Sequence, residues 1–87
     1  MNENRRLRVP NSKLLARLKN SQRNVSYREL RSLLESYGFV LSRSRGSHRV
    51  FGYPGSPIKL TVVESDEVRP VYVRTAIQKI EEAVSLR

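Results

Sequence analysis

The sequence predicts an α+β fold: one three-stranded antiparallel sheet with helices against one of its faces. Three observations predict it. A capped stretch carries apolar residues at helical spacing, a middle segment breaks into short β-type runs separated by turn chemistry, and a second amphipathic stretch closes the chain. Eighty-seven residues with 38% apolar content supply one modest core and not two. Residues 11–87 are therefore expected to form a single domain, preceded by a disordered basic N-terminus over residues 1–10.

Asn11 or Ser12 can cap a first helix in which Leu14, Leu15 and Leu18 recur on one side while Arg17 and Lys19 point away; 20–24 reads as a connector. Ser26-Tyr27-Arg28-Glu29 is a capping box, whose hydroxyl and carboxylate satisfy reciprocal orphan amides of a second helix. Leu30, Leu33, Leu34 and Tyr37 follow at i, i+3, i+4 and i+7, and Gly38 supplies the left-handed position that ends the helix. The period then changes. Phe39 to Arg43, His48 to Tyr53 and Ile58 to Val63 are rich in β-branched and aromatic residues and read as three strands. Their connections, Ser44 to Ser47 and Pro54 to Pro57, are short enough for antiparallel hairpins. Pro70 suits a first helical turn, and Val73, Ile77, Ile80 and Val84 repeat at helical spacing after it. The order is α-α-β-β-β-α, with one sheet face packed by helices and the other free.

Lys and Arg number 17 against 8 Asp and Glu, a formal charge of +9, so polyanions are the first partners to consider. The surplus is concentrated at the front: nine basic and two acidic residues lie between Met1 and Arg31. The same surplus also serves a surface that is merely soluble. There is no cysteine, which removes disulfide frameworks, thiol catalysis and nearly all zinc-finger patterns and fits a reducing compartment. No apolar run approaches the length of a membrane span, so a soluble, cytoplasmic protein without membrane contact is expected.

The one histidine, His48, lies where Gly46-Ser47-His48-Arg49 opens the second strand. Its imidazole is the one side chain here that exchanges protons near neutrality without a strong pKa shift. RNA carries its own nucleophile, the ribose 2′-hydroxyl. A small protein need only deprotonate it, protonate the leaving 5′-oxygen and stabilise the phosphorane, for which Arg43, Arg45 and Arg49 stand near His48 in sequence. A single histidine after a glycine turn is also an ordinary polar residue at a strand start. Lys59 and Arg74 join these arginines as candidates for phosphate contact, with surface solubility as the alternative. Tyr37, Phe39 and Phe51 fall on periodic apolar faces and read as core, whereas Tyr53, beside the Pro-Gly turn, is the candidate for stacking on an unpaired base. Glu64, Asp66 and Glu67 could offer oxygen ligands to a hard cation, but successive carboxylates on one loop are usually solvated; no metal and no cofactor is expected.

Asn24-Val25-Ser26-Tyr27-Arg28-Glu29-Leu30, Leu33-Leu34, Tyr37-Gly38-Phe39, Arg45-Gly46-Ser47-His48-Arg49-Val50-Phe51 and Val71-Tyr72-Val73-Arg74 together resemble the HicA toxins over about Ser12 to Val84. The resemblance implies a fold like that of double-stranded-RNA-binding domains and a ribosome-independent mRNA interferase of the toxin–antitoxin type. It further implies that a HicB-type antitoxin covers the catalytic surface. It makes His48 the catalytic residue, with Gly46 and Ser47 as its supporting turn. Two features depart from compact members: about 25 residues precede the capped helix, and the loop after the third strand is acidic. Two other readings remain open on the residues alone, a non-catalytic module that binds structured RNA and a basic protein that assembles with an acidic partner.

Overall fold

A computed structural model describes residues 9–87; the expectation for residues 1–8 lies outside the described residues. The elements are α1 (Ser12–Asn20), α2 (Tyr27–Ser36), β1 (Val40–Arg45), β2 (His48–Gly52), β3 (Lys59–Val63) and α3 (Pro70–Ser85). The strands form one antiparallel sheet in the order β1-β2-β3, so the predicted α+β order and meander are those the chain adopts.

Asn11 is the cap of α1, its side-chain oxygen accepting from the Leu14 amide at 3.0 Å. Leu18 is buried, and Leu14 and Leu15 pack half-buried against the core. Arg17 pairs with Glu29 of α2, Lys19 reaches Glu81 of α3 at 2.5 Å, and the Asn11 amide donates to Ser36 Oγ at 3.0 Å. The first helix is thus fastened to both of the others. This arrangement also undoes half of the expected capping box. Ser26 Oγ accepts from the Glu29 amide at 3.0 Å, but the Glu29 carboxylate turns to Arg17, an ion pair in place of a bond to an uncharged amide.

At the other end of α2 the chain stops in a Schellman motif: the Gly38 amide donates to Glu35 O and the Phe39 amide to Leu34 O, both at 3.0 Å. Gly38 has φ +98°, a conformation that a Cβ makes costly. Leu30, Leu33, Leu34 and Tyr37 face the core as their spacing predicts. The sheet contributes Phe51, Leu60 and Val62, with Leu41 half-buried beside them, and α3 lays Val73, Ala76, Ile77, Ile80 and Ala83 over this layer.

One expected core residue is displaced. Val84 is 43% exposed, and Ala83 takes the inward place in the last turn of α3. Val84 and Ile77 share a margin of the apolar stripe, where Ile77 is the least covered of the five inward residues, so this margin leaves the core as the helix ends. The connector after α1 closes the remaining side. Val68 N donates to Val25 O at 2.8 Å with both valines buried, and Asn24, at φ +57°, donates its amide to Glu67 Oε2 at 3.0 Å.

Gly38→Ala combines a backbone conformation suited to glycine with a Cβ placed 3.2 Å from Tyr53 Cε1. Its unfolding free energy in denaturant should fall by about 1–3 kcal/mol. A variant as stable as the parent would show that this turn relaxes freely.

Candidate active site

Side chains alternate across a strand, so the pairing register assigns each residue to one face of the sheet. Leu41, Phe51 and Leu60 form one cross-strand row and are turned to the helices. The opposite face carries three rows: Arg45, His48 and Val63 at one end, Arg43, Val50 and Thr61 in the middle, and Val40, Gly52 and Lys59 at the other end. Leu41, Arg43 and Arg45 have the same parity in an unbroken strand and would share a face. A bulge between Leu41 and Arg43 resets the phase, leaving Leu41 with the core and turning both arginines outward.

The strands end where the turn chemistry dictates. β1 runs two residues beyond its expected end, to Arg45, because Gly46 and Ser47 suffice as the loop. Of these two only Gly46 has positive φ, +57°, the pattern of a type II′ hairpin turn with glycine first. Arg45 and His48 are thereby placed directly opposite each other at the foot of the hairpin.

His48, Arg45, Arg43 and Lys59 are all exposed. None of their side chains has a hydrogen-bond or ion-pair partner among the described residues. The segment from Val40 to Val63 contains no carboxylate, so cations on this face have no internal counter-charge from the strands. A shallow trough lined by Ser42, Arg43, Val50, Lys59 and Thr61 runs across the middle of the face. On the helical side Arg17, Lys19, Arg31 and Lys79 are each paired with a glutamate, while Lys13, Arg28 and Arg74 have no ion pair among the described residues. The bond and charge of Glu35 raise the Arg31 guanidinium above its ordinary pKa and hold it cationic.

Arg49 is not among the free cations. It lies on the core-facing side of β2, where Nε and Nη2 donate to Glu64 Oε1 at 2.9 and 2.8 Å. Its Nη1 donates to the carbonyl oxygens of Gly46 at 2.5 Å and His48 at 3.2 Å. The guanidinium therefore ties the turn to the end of β3, which the Glu64 amide also reaches through Ser47 O at 2.8 Å. Sequence proximity to His48 pointed to phosphate contact; alternation puts Arg49 behind the imidazole instead. Glu64 and its role in this clamp were not legible from composition, although a carboxylate just beyond a strand paired with β2 was the available signal.

Arg74 is also apart from His48. It is exposed on α3, beside Lys19 of α1 and Gln22 of the connector that follows it, so α3 separates it from the sheet. Tyr53 is half-buried and already engaged: its ring packs 5.2 Å from that of Phe39, and its hydroxyl accepts from Arg87 Nε at 3.0 Å. Of the acidic loop, Glu64 and Glu67 are occupied by Arg49 and the Asn24 amide. Four expected residues thus meet on the open face, His48, Arg43, Arg45 and Lys59; Tyr53 lines a depression at its far end beside Lys59, and Arg49 and Arg74 lie elsewhere.

The family model described as the HicA toxin of bacterial toxin–antitoxin systems matches residues 27–81. The chain belongs to the HicA toxin family. The match runs from the first residue of α2 into α3 and takes in the whole sheet, so α1 stands outside it. No curated protein and no solved structure matches the chain. As a toxin of this family the chain implies an antitoxin partner, and among the described residues no helix is long and apolar enough to cross a membrane. The double-stranded-RNA-binding-like order α-β-β-β-α of the HicA fold corresponds to α2 through α3, with α1 added against the helical layer.

Arg49→Ala removes the bonds to Gly46 O and Glu64 together. It should lower stability by about 1–2 kcal/mol and speed amide exchange at Gly46 to His48 more than in α2. Arg49→Lys should restore little, because one ammonium cannot span both acceptors as the planar fork does. Unchanged exchange in the turn would refute the clamp.

Proposed function

We propose that this HicA-family toxin is an endoribonuclease that cleaves mRNA independently of the ribosome, in the cytoplasm, with His48 as its catalytic proton-transfer group. What supports the reading most is the open-face row in which an exposed imidazole stands directly across from the Arg45 guanidinium, neither having a partner among the described residues. An RNA strand laid along the face brings a ribose 2′-hydroxyl to the imidazole and the scissile phosphate to Arg45. His48 takes the 2′-proton as the oxygen attacks phosphorus, and Arg45 offsets the charge gathering on the phosphorane oxygens. The 5′-oxygen leaves with a proton delivered by water, since Lys59 stands two rows away and Tyr53 is bonded to Arg87. Because the nucleophile belongs to the substrate, the reaction asks for no metal and no organic cofactor.

Arg43 and Lys59 hold flanking phosphates. Gly46 and Ser47 set the position of His48 through the turn, and Arg49 keeps that turn in place. A HicB-type antitoxin silences the protein by covering the same face, competing for its positive charge and excluding substrate.

His48→Ala should reduce cleavage of a labelled mRNA by about 10²- to 10⁴-fold and abolish growth arrest, with its melting transition retained. Arg43→Ala and Lys59→Ala should each flatten the salt dependence of single-stranded RNA binding by about 0.7 in the log–log slope, while Arg74→Ala leaves it unchanged. Full cleavage by folded His48→Ala removes the imidazole from the reaction. Salt-sensitive binding by the parent without strand scission gives the protein to the non-catalytic class.

A further inference from the structure

The end of the open face farthest from His48 holds a second feature. A depression of about 540 Å³ lies there, floored by Val40 and Gly52, walled by Pro54 and Pro57, and edged by Ser42 and Lys59. It shares Ser42 and Lys59 with the trough that crosses the middle row, so the two form one continuous track leading toward His48. Its lining is mostly apolar carbon with a single cation at the rim, the make-up of a pocket that takes a flat, neutral ring attached to a charged chain.

Gly52 is the informative residue. It is the last residue of the central strand, paired with Val40 and Lys59 on either side, and it is not required by the backbone, because its φ is not in the left-handed region. Nor is it required by packing. A Cβ built there meets nothing nearer than Ile58 O, at 4.0 Å. The missing side chain leaves a space on the open face between Val40 and Lys59, room in which another molecule can approach the backbone closely.

We propose that this depression is a base-recognition subsite, taking one unpaired nucleobase of the RNA against the backbone of Gly52. The proposal rests on the open face being the RNA-binding side. Nucleic acid is the occupant because the face between the depression and His48 carries free cations and no carboxylate. Gly52 lies four positions along β2 from His48, about 13 Å of strand, which places the base on the order of two to four nucleotides from the scissile phosphate. The ring enters the apolar floor and its phosphate meets Lys59, beside a 53–58 loop that is held by its own hydrogen bonds. The subsite thus recognises sequence at a distance from the bond that breaks.

Fluorescence anisotropy with labelled decamers of A, C, G and U tests the subsite without requiring cleavage. The parent should prefer one homopolymer over the weakest by about tenfold or more, the range of a stacked or pocketed base. Gly52→Val fills the floor and should reduce that preference to within about twofold; Gly52→Ala, a single methyl, serves if the valine variant does not melt cooperatively. Cleavage maps on a randomised RNA pool should lose the same base at a fixed offset from the cut.

Equal binding of the four decamers by the parent, or a preference unchanged in a folded variant, overturns the subsite. Unchanged preference with altered affinity for the antitoxin encoded beside the gene assigns the depression to the protein partner and overturns it as well. Lost preference in a protein that binds but never cleaves supports the subsite while refuting the nuclease reading, so the two fail separately.

Discussion

Burial of Phe51 is the constraint on which the rest of the open face depends. The ring is fully enclosed, lies in a row with Leu41 and Leu60, and packs 6.5 Å from the Tyr27 ring of α2. His48 is three residues earlier in the same strand, an odd separation, so the burial of one dictates the exposure of the other. A slip of one residue would bring Phe51 into water, forfeiting about 1.5–3 kcal/mol of side-chain burial, and would push an imidazole toward the aliphatic side. The hydrophobic core thus decides the orientation of a residue that it never touches.

Phase within β2 is inherited by β3 without interruption, but β1 needs the bulge. Strict alternation would bind the fate of Arg43 and Arg45 to that of Leu41: either all three point to the helices or all three to solvent. One unpaired residue, Ser42, releases them, and its hydroxyl still reaches the carbonyl of Val50 at 3.2 Å. Bulges sit beside active sites for this kind of reason, to re-aim a side chain while the ladder continues. The same device puts two guanidiniums in line with the imidazole.

Much of the fold was legible because its signals are local. The Ser26 cap, the leucine stripe and the Gly38 stop all act within a few residues, and α2 ends where they predict. The strands were legible as runs and not as faces. Nothing local announces a bulge, so parity counted from the sequence could not separate Arg43 from Leu41. Arg49 illustrates the limit most plainly, since adjacency to His48 in the chain guarantees the opposite side of the sheet. The diversion of Glu29 to Arg17 depends on where α1 docks, and the engagement of Tyr53 depends on Arg87, which is 34 residues away. Long-range partners of that kind leave no periodic trace.

Charge distribution links these observations. The front of the sequence holds most of the surplus, yet several of its cations are spent within the helical layer: Arg17, Lys19 and Arg31 all meet glutamates. The sheet carries fewer cations and leaves Arg43, Arg45 and Lys59 without such partners among the described residues. Two of these, Arg43 and Arg45, lie two positions apart on one strand and share a face, where a carboxylate between them would have relieved a small repulsion. A polyanion relieves it equally well, and does so only when bound. A face kept free of carboxylates is therefore slightly destabilising alone and favourable when a polyanion covers it.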